Sequence, residues 1–277
     1  MLFRSKNKYL VLSNNSDSLS LKKAGRLTAY EQLYLLDPNT FELEYFPNFI
    51  QQPKYFPFKK DIILLNNGKI IIPFRKIHTK NVLGDFLRSI SYSEWDHIEI
   101  YDPEKNQFFV EYNCNALKEN LFQIDLPDND VLFINKNGSY IFKNSENKFE
   151  ETEGSLKKEV ENFVNIVNNT LQYNLGLSLE EKMTGKIKYI KLSSTKYLLT
   201  CGDEILTSNL EACKKSVYVN YNGIAAQSGP KFIFNHKYSS IEKIDDTHFM
   251  VIGGDGFSLN RTHIPNKYVQ IIEIKER

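Results

Sequence analysis

The sequence is poor in the residues that build disulfide frameworks and metal sites. Only three of its 277 residues are cysteine, and these are far apart at Cys114, Cys201 and Cys213. No pair has the Cys-x-x-Cys spacing of a structural zinc site, and three scattered thiols are too few to form a disulfide framework in a chain of this length. We therefore expect free thiols, no metal and no cofactor.

Charge of one sign and long apolar runs are also missing. Lys and Arg number 35 against 34 Asp and Glu, a net charge of +1, which favours neither nucleic acid nor an anionic membrane as a partner. The apolar runs are far shorter than the roughly 20 residues that cross a bilayer, and the basic start is not followed by a signal-peptide core. The sequence predicts a soluble, cytoplasmic protein, and we expect a monomer.

Catalytic signatures are absent as well. The sequence contains no Gly-x-Ser-x-Gly, no His-Glu-x-x-His and no glycine-rich phosphate loop. Asp245-Asp246 is a pair of neighbouring carboxylates, but its place in the pattern described below predicts a turn. Glu94 to His97 is the densest polar cluster, and it is the stretch best able to supply an acid or a base. No residue is assigned a catalytic role.

Apolar residues are present in a repeating pattern. The chain has 19 Phe and 16 Tyr, a composition that favours strands. Five times, a polar turn is followed by about four consecutive apolar residues, with starts at Tyr9, Ile70, Val131, Tyr197 and Phe249. Successive starts lie 61, 61, 66 and 52 residues apart, which is room for one four-stranded sheet with its loops. Continuous apolar runs predict strands that are covered on both faces.

A second hairpin follows in each copy of this unit. It spans residues 33–43, 98–108 and 140–149 in the first three copies, and two of these hairpins contain Asp followed by Pro, at Asp37 and Asp102. Asp-Pro suits a tight turn, because Pro presets one φ angle and the Asp side chain accepts a backbone N–H. The matching strands of the last two copies are predicted at residues 216–220 and 268–274. The third copy has a tight turn at Asn137-Gly138.

Two of these segments resemble the halves of a kelch repeat. The resemblance is carried by a strand that ends in Gly-Gly, at residues 251–254, and by Ile-Tyr-Asp-Pro-Glu-Lys-Asn-Gln-Phe at residues 100–108. It implies a β-propeller of four-stranded antiparallel blades, similar to the central domain of galactose oxidase. The Gly-Gly pair is replaced by Pro73-Phe74 in the second copy and by Cys201-Gly202 in the fourth.

The predicted fold is therefore all-β. We expect a single kelch-like propeller over residues 1–277 with about five blades, six being the alternative, and we expect residues 1–5 to complete the last sheet because closure removes a free edge. One stretch departs from the strand pattern. Its apolar residues recur at helical spacing from Leu156 to Leu171, which predicts an inserted amphipathic helix near 155–172, capped by Ser155.

The loops between the second and third strands of each copy form the predicted functional face. They run approximately over residues 13–32, 75–97, 203–215 and 255–267, and arginine, histidine and tryptophan are concentrated there. This composition is typical of protein-binding hot spots and of anion sites. The candidate binding residues are Arg26, Arg75, His78, Arg88, Trp95, His97, Arg261 and His263.

Three functions are compatible with this pattern. The leading hypothesis is a non-enzymatic module that binds a protein or peptide through the loop face. The alternative is an enzyme or lectin that acts on an anionic sugar, similar to the sialic-acid mutarotases among the kelch-like propellers. The third is an architectural module of a longer protein, in which the loop charges are simply solvated. A copper-radical oxidase is not favoured, because the sequence shows no Tyr, His and Cys set with recognisable spacing.

Overall fold

The structure is a computed structural model. It describes residues 2–5, 8–15, 30–37, 39–45, 55–57, 62–82, 87–182, 184–202, 214–232, 239–245, 248–253, 255–257, 263–265 and 269–273. In this part of the chain no helix is both long and apolar enough to cross a membrane.

The first two sheets are antiparallel meanders. The first has the order β1-β2-β3-β4, with strands Leu2–Ser5, Lys8–Asn15, Tyr30–Leu36 and Leu43–Tyr45. The second has the order β5-β7-β8-β9, with β6 also paired to β7, and its strands are β5 Tyr55–Pro57, β6 Ile63–Leu64, β7 Ile70–Val82, β8 Leu87–Asp102 and β9 Gln107–Glu111.

The remaining sheets follow the same meander order. The third contains β10 Asn120–Asp125, β11 Val131–Asn135, β12 Gly138–Lys143 and β13 Lys148–Glu151. The fourth contains β14 Ile187–Lys191, β15 Lys196–Cys201, β16 Ser216–Asn220 and β17 Ala225–Ser228. The fifth joins β18 Ser239–Lys243, β19 His248–Gly253 and β22 Val269–Glu273, and a separate hairpin pairs β20 Asp255–Phe257 with β21 His263–Pro265.

The chain divides into two compact units by its contacts. The first comprises residues 1–118 with 142–149, and the second comprises residues 119–141 with 150–277. The first two sheets and the tip of the β12–β13 hairpin therefore belong to the first unit. The helix and the fourth and fifth sheets belong to the second.

The turn between the first and second strands of the repeat is the same in four copies. The backbone N–H of Leu65, Leu126, Leu192 and Ile244 donates to the carbonyl four residues later, at 2.9 Å in every case. The strands that follow therefore start at equivalent positions, as the repeat predicts. Asp245 accepts the N–H of His248 at 2.7 Å, which confirms that this carboxylate serves a turn.

The second hairpin is also repeated. A residue with positive φ precedes its last strand in four sheets, at Phe41 (58°), Asn106 (50°), Asn147 (55°) and Ile224 (44°). The Asp-Pro turns behave as expected. Asp37 Oδ1 accepts the N–H of the residue two positions on at 2.8 Å, and Asp102 Oδ1 does the same at 3.0 Å.

Burial distinguishes the fifth sheet from the third and fourth. Every residue of β11 is buried, and all but the first of β15 are buried, so these strands are covered on both faces as their continuous apolar runs predict. In contrast, β19 alternates between buried and more exposed residues. Ile252, Val269 and Ile271 of the fifth sheet remain 40%, 57% and 64% exposed.

A buried ion pair joins two hairpins of the first unit. Lys69 Nζ lies 3.3 Å from Asp102 Oδ2, and these side chains are 8% and 3% exposed. The same ammonium donates to the carbonyl of Asn144 and to Asn147 Oδ1, both at 2.7 Å. Burial raises the pKa of Asp102, but the N–H of Glu104 and the Lys69 charge outweigh it, and this pKa lies below its usual value. The Lys69 ammonium thus has a carboxylate that balances its charge and two oxygen atoms that accept its hydrogen bonds.

The predicted helix is confirmed as α1, Gly154–Leu175, and it lies in the second unit. Its buried residues recur at three- and four-residue spacing and form one core with strands of the third and fourth sheets. Phe163 is central, with its ring 5.4 Å from that of Phe122 and 5.1 Å from that of Tyr221. The expected Ser155 cap is wrong. The N-cap residue is Glu153, and no side chain caps the helix.

Two further expectations are wrong. The N-terminal strand does not complete the last sheet, because Leu2–Ser5 pairs with β2 in the first sheet, for example Phe3 with Leu10. A strand two residues away in sequence is the partner that costs least chain entropy.

In addition, the cysteines are not all free: Cys201 is disulfide-bonded, whereas Cys114 is free and buried. Cys213 lies outside the described residues.

Candidate functional site

The predicted loop over residues 75–97 is a two-stranded ribbon, and the expectation of a loop is wrong. Strands β7 and β8 pair from Ile70 and Tyr101 out to Val82 and Leu87, with register irregularities beside Arg75. The polar residues of this stretch suggested a loop, but they alternate with β-branched and aromatic residues that suit a strand.

The outer part of this ribbon has no third strand. We define the β7–β8 ribbon as residues 77–82 and 87–92, which pair with each other in six register positions. Strand β5 reaches only residues 74–76 of β7, and β9 reaches only residues 98–102 of β8. Among the described strands, both outer edges of the ribbon are therefore without a neighbour.

Five of the eight candidate binding residues lie on β7 and β8. Arg75 is in register with Trp95, His78 with Ser91, and Arg88 with Asn81. His97 follows Trp95 on β8, at the base of the ribbon. His263 lies instead on β21, opposite Phe257. Arg26 and Arg261 lie outside the described residues.

His97 lies in a buried polar cluster. Its Nδ1 is 3.0 Å from Asp96 Oδ2, and its Nε2 is 3.4 Å from Glu99 Oε1. His97 is 2% exposed and Glu99 is 1% exposed. Burial alone would lower the pKa of His97, but the hydrogen bonds and charges of Glu99 and Asp96 outweigh it, so this pKa lies above its usual value. The two carboxylates thus favour the imidazolium form.

Two aromatic rings and one thiol lie near this cluster. The Phe74 ring stacks on the His97 imidazole at a centroid distance of 4.8 Å and an interplanar angle of 4°. The ring of Tyr112 lies 6.4 Å away. Burial, together with the charge of nearby Asp96, raises the pKa of the Cys114 thiol to about 11. Cys114 is therefore protonated at neutral pH and is a poor nucleophile.

The cluster is suited to holding the base of the ribbon in place. A buried imidazolium between two carboxylates can store a proton, but His97 is too enclosed to touch a large substrate. Within the described residues, no group of three or more His, Cys, Asp or Glu side chains is placed to hold a metal ion. Glu99 was not identified from the sequence, although a glutamate between Ile98 and Ile100 in an apolar run signals a buried charge.

Fold and site together define an antiparallel β-sheet protein that carries an extended ribbon, with one α-helix in the described part of the chain. Comparison with known proteins adds no family. A scan against protein-family models finds no match, and a search of curated proteins finds no significant match.

Proposed function

We propose that this protein binds a protein or peptide through the β7–β8 ribbon. The observation that carries the proposal is the ribbon itself, six paired positions that continue past both neighbouring strands. An exposed strand edge offers backbone N–H and C=O groups, to which a partner can add a strand of its own. Aromatic and arginine side chains are the residue types that anchor such partners.

The spacing of Arg88 in the ribbon and Arg75 just before it on β7 supports a peptide over a single sugar. Arg75 and Asn81 are six residues apart on β7, and Arg88 is in register with Asn81. At about 3.3 Å per residue, the two arginine positions lie about 20 Å apart along the strands. An extended peptide of about six residues spans this distance, whereas a sialic-acid-like ligand does not. An anionic sugar is therefore the weaker candidate.

The test combines affinity capture with two variants of the full chain. In the first, Arg75→Ala and Arg88→Ala are combined, and in the second, residues 77–92 are replaced by Asn-Gly. Each is compared with a matched double variant at exposed lysines, Lys136→Ala with Lys148→Ala. We expect both ribbon variants to lose a partner that the wild type and the lysine variant retain. Identical partners for all four proteins, each folded by circular dichroism, would contradict the proposal.

We further propose that the five sheets form a kelch-like propeller. The support is the succession of antiparallel meanders with the same opening turn, together with the exposed apolar face of the fifth sheet at Ile252, Val269 and Ile271. A closed ring would cover that face. Small-angle X-ray scattering tests the ring: we expect a radius of gyration of about 19 Å, the value for a compact chain of this length. A clearly larger radius in a monomeric sample would contradict it.

We also propose that the protein is a cytoplasmic monomer. The disulfide bond at Cys201 is unusual for a reducing compartment, so fractionation of the source cells is the decisive measurement. Recovery of the protein in the soluble cytoplasmic fraction would support this location. Recovery outside the cytoplasm would contradict it.

A further inference from the structure

Basic residues occupy every second position of β7 where this strand becomes the ribbon. They are Lys76, His78 and Lys80, and we call them the basic row. The register irregularities beside Arg75 arise from extra residues on β8, so β7 itself continues without interruption. Positions two apart on a strand belong to the same face of a sheet. The basic row therefore lies along one face of the β7 strand.

The β8 side of the ladder offers this row no opposite charge. Ser91 is in register with His78, and Ser89 is in register with Lys80. None of the twelve paired positions of the ribbon holds Asp or Glu, and one of them holds a further cation, Arg88. An acid directly opposite is the cross-strand neighbour that stabilises a basic residue in a sheet. The ribbon's own ladder does not supply it.

The other edge of β7 can take a third strand beside His78 and Lys80. Strand β5 occupies this edge only as far as Lys76, which is in register with Tyr55. Among the described strands, none continues along β7 past that point. A strand added there would place its own residues directly opposite His78 and Lys80.

The charge of this stretch selects the chemistry of such a strand. Residues 75–92 contain four Lys or Arg and a single acid, Asp85, whereas the whole chain has a net charge of only +1. A neutral strand would gain the backbone ladder but leave the basic row without opposite charge, and a basic strand would be repelled. A nucleic acid would supply negative charge but cannot continue a backbone ladder. An acidic strand satisfies both requirements.

We propose that the ribbon binds an acidic segment of a partner protein, which adds to the outer edge of β7 as a strand. Two of its residues, separated by one position, are Asp or Glu and lie opposite His78 and Lys80. This spacing follows from the pleat, because residues two apart on a strand are about 7 Å apart on one face. The inference rests on the proposed function, since it names the kind of peptide that the ribbon binds.

Selection from a library of random ten-residue peptides tests this proposal with the full chain. The peptides analysed are those that bind the wild type but not the folded variant in which residues 77–92 are replaced by Asn-Gly. We expect an acid-x-acid pair in these ribbon-dependent peptides at least about three times as often as in the library. Ribbon-dependent peptides without this enrichment would overturn the acidic class and leave peptide binding standing. The absence of any ribbon-dependent peptide would contradict both proposals.

Defined probes then measure the contribution of the charge. A selected peptide is synthesised with Glu, Gln or Lys at its two acidic positions. We expect the Glu peptide to bind about fivefold or more tightly than the Gln peptide, because only the Glu peptide forms opposite-charge cross-strand pairs. The Lys peptide should bind more weakly still. A ten-nucleotide oligothymidylate is titrated in parallel. Equal binding of the Gln peptide, or oligothymidylate binding as tight as that of the Glu peptide, would overturn the proposed class.

Charge reversal on β7 locates the site. Lys80→Glu should weaken binding of the Glu peptide by about tenfold or more and should bind the Lys peptide more tightly than the wild type does. Lys105→Glu is the matched control, because Lys105 is an exposed residue of the β8–β9 turn in the same sheet and its reversal changes the net charge equally.

A reversed preference cannot result from damage to the fold, so this readout is specific to the charge at position 80. Lys80→Gln removes the charge without reversing it, and it should reduce the preference for the Glu peptide over the Gln peptide. This variant stays informative if Lys80→Glu does not fold. An unchanged preference in folded Lys80→Glu or Lys80→Gln would overturn the assignment of the acidic strand to this edge.

Discussion

The ammonium groups of Lys69 and Lys182 are both buried, but different groups surround them. Lys69 has a carboxylate, a carbonyl and an amide oxygen around its ammonium, all from the first unit. Lys182 has two carbonyls and a ring face, but no carboxylate among the described residues. The first arrangement satisfies both hydrogen bonds and charge, whereas the second satisfies only hydrogen bonds. We infer that the charge of Lys69 is stabilised by the fold, whereas the charge of Lys182 is disfavoured by burial.

The largest expected effect is the loss of the Lys69 counter-charge. Asp102→Asn keeps the side-chain oxygen that accepts from the turn but removes the charge, and it should lower the free energy of unfolding by about 3–5 kcal/mol. The measurement is urea unfolding. Asp37→Asn is the matched control, since Asp37 makes the same turn in the first sheet. Equal, small decreases in the free energy of unfolding of both variants would show that the Lys69–Asp102 ion pair does not stabilise the fold.

The pH dependence of the same pair gives the second prediction. The pKa of Asp102 is lowered in the folded protein, so its contribution is present above the unfolded pKa of about 4 and is lost as pH falls through the folded value. The stability difference between wild type and Asp102→Asn should therefore stay constant from pH 7 to 5 and shrink below about pH 4. A difference that persists under strong acid would contradict this account.

Lys182→Met should have a smaller effect, whose size depends on pH. Because the folded pKa of Lys182 is lowered to about 7, the unfolded chain binds more protons than the folded chain between about pH 7 and 10.4. Wild-type stability should therefore rise relative to Lys182→Met as pH increases across this window. Urea unfolding at pH 7 and pH 9.5 measures the change, with Lys186→Met as the control. If the stability of the wild type relative to Lys182→Met fell between pH 7 and pH 9.5, the ammonium of Lys182 would not be destabilised by burial.

The smallest predicted effect concerns the ring beside Lys182. Tyr189→Leu removes the ring face, so the charged form loses a favourable contact and the pKa of Lys182 should fall by about half a unit. Tyr189→Phe keeps the face and should leave that pKa unchanged. The ¹³Cε chemical shift of Lys182 reports the titration. An equal response to both substitutions would show that the ring makes no contribution.

Local patterns in the sequence predicted much of the fold. The turns before the apolar runs, the Asp-Pro hairpins and the helix are all set by residues within a few positions of one another. The turn is observed before four of the five runs, and the hairpins and the helix are observed as well. The partner of the first strand and the state of Cys201 were predicted wrongly. Both depend on what lies nearby in the folded chain, which a repeat pattern does not encode.

The candidate sites were less predictable. The concentration of arginine and tryptophan between residues 75 and 97 led to a predicted loop, whereas the structure has two paired strands there, and the binding role of this stretch stays a prediction. The burial of Lys182 gave no signal in the sequence, because Lys182 follows Glu180 and Glu181 and resembles a solvated surface lysine. Its acceptors, Asn120 and Leu121, are about 60 positions earlier in the chain. Only the folded structure brings them together.

The most direct test of this difference between the two lysines is the pKa of Lys182, measured by ¹³Cε NMR. We predict a value near 7, because burial disfavours the ammonium and no carboxylate of the described residues compensates it. A value near 10.4, the ordinary pKa of a solvated lysine, would show that Lys182 carries no uncompensated buried charge and would contradict the account.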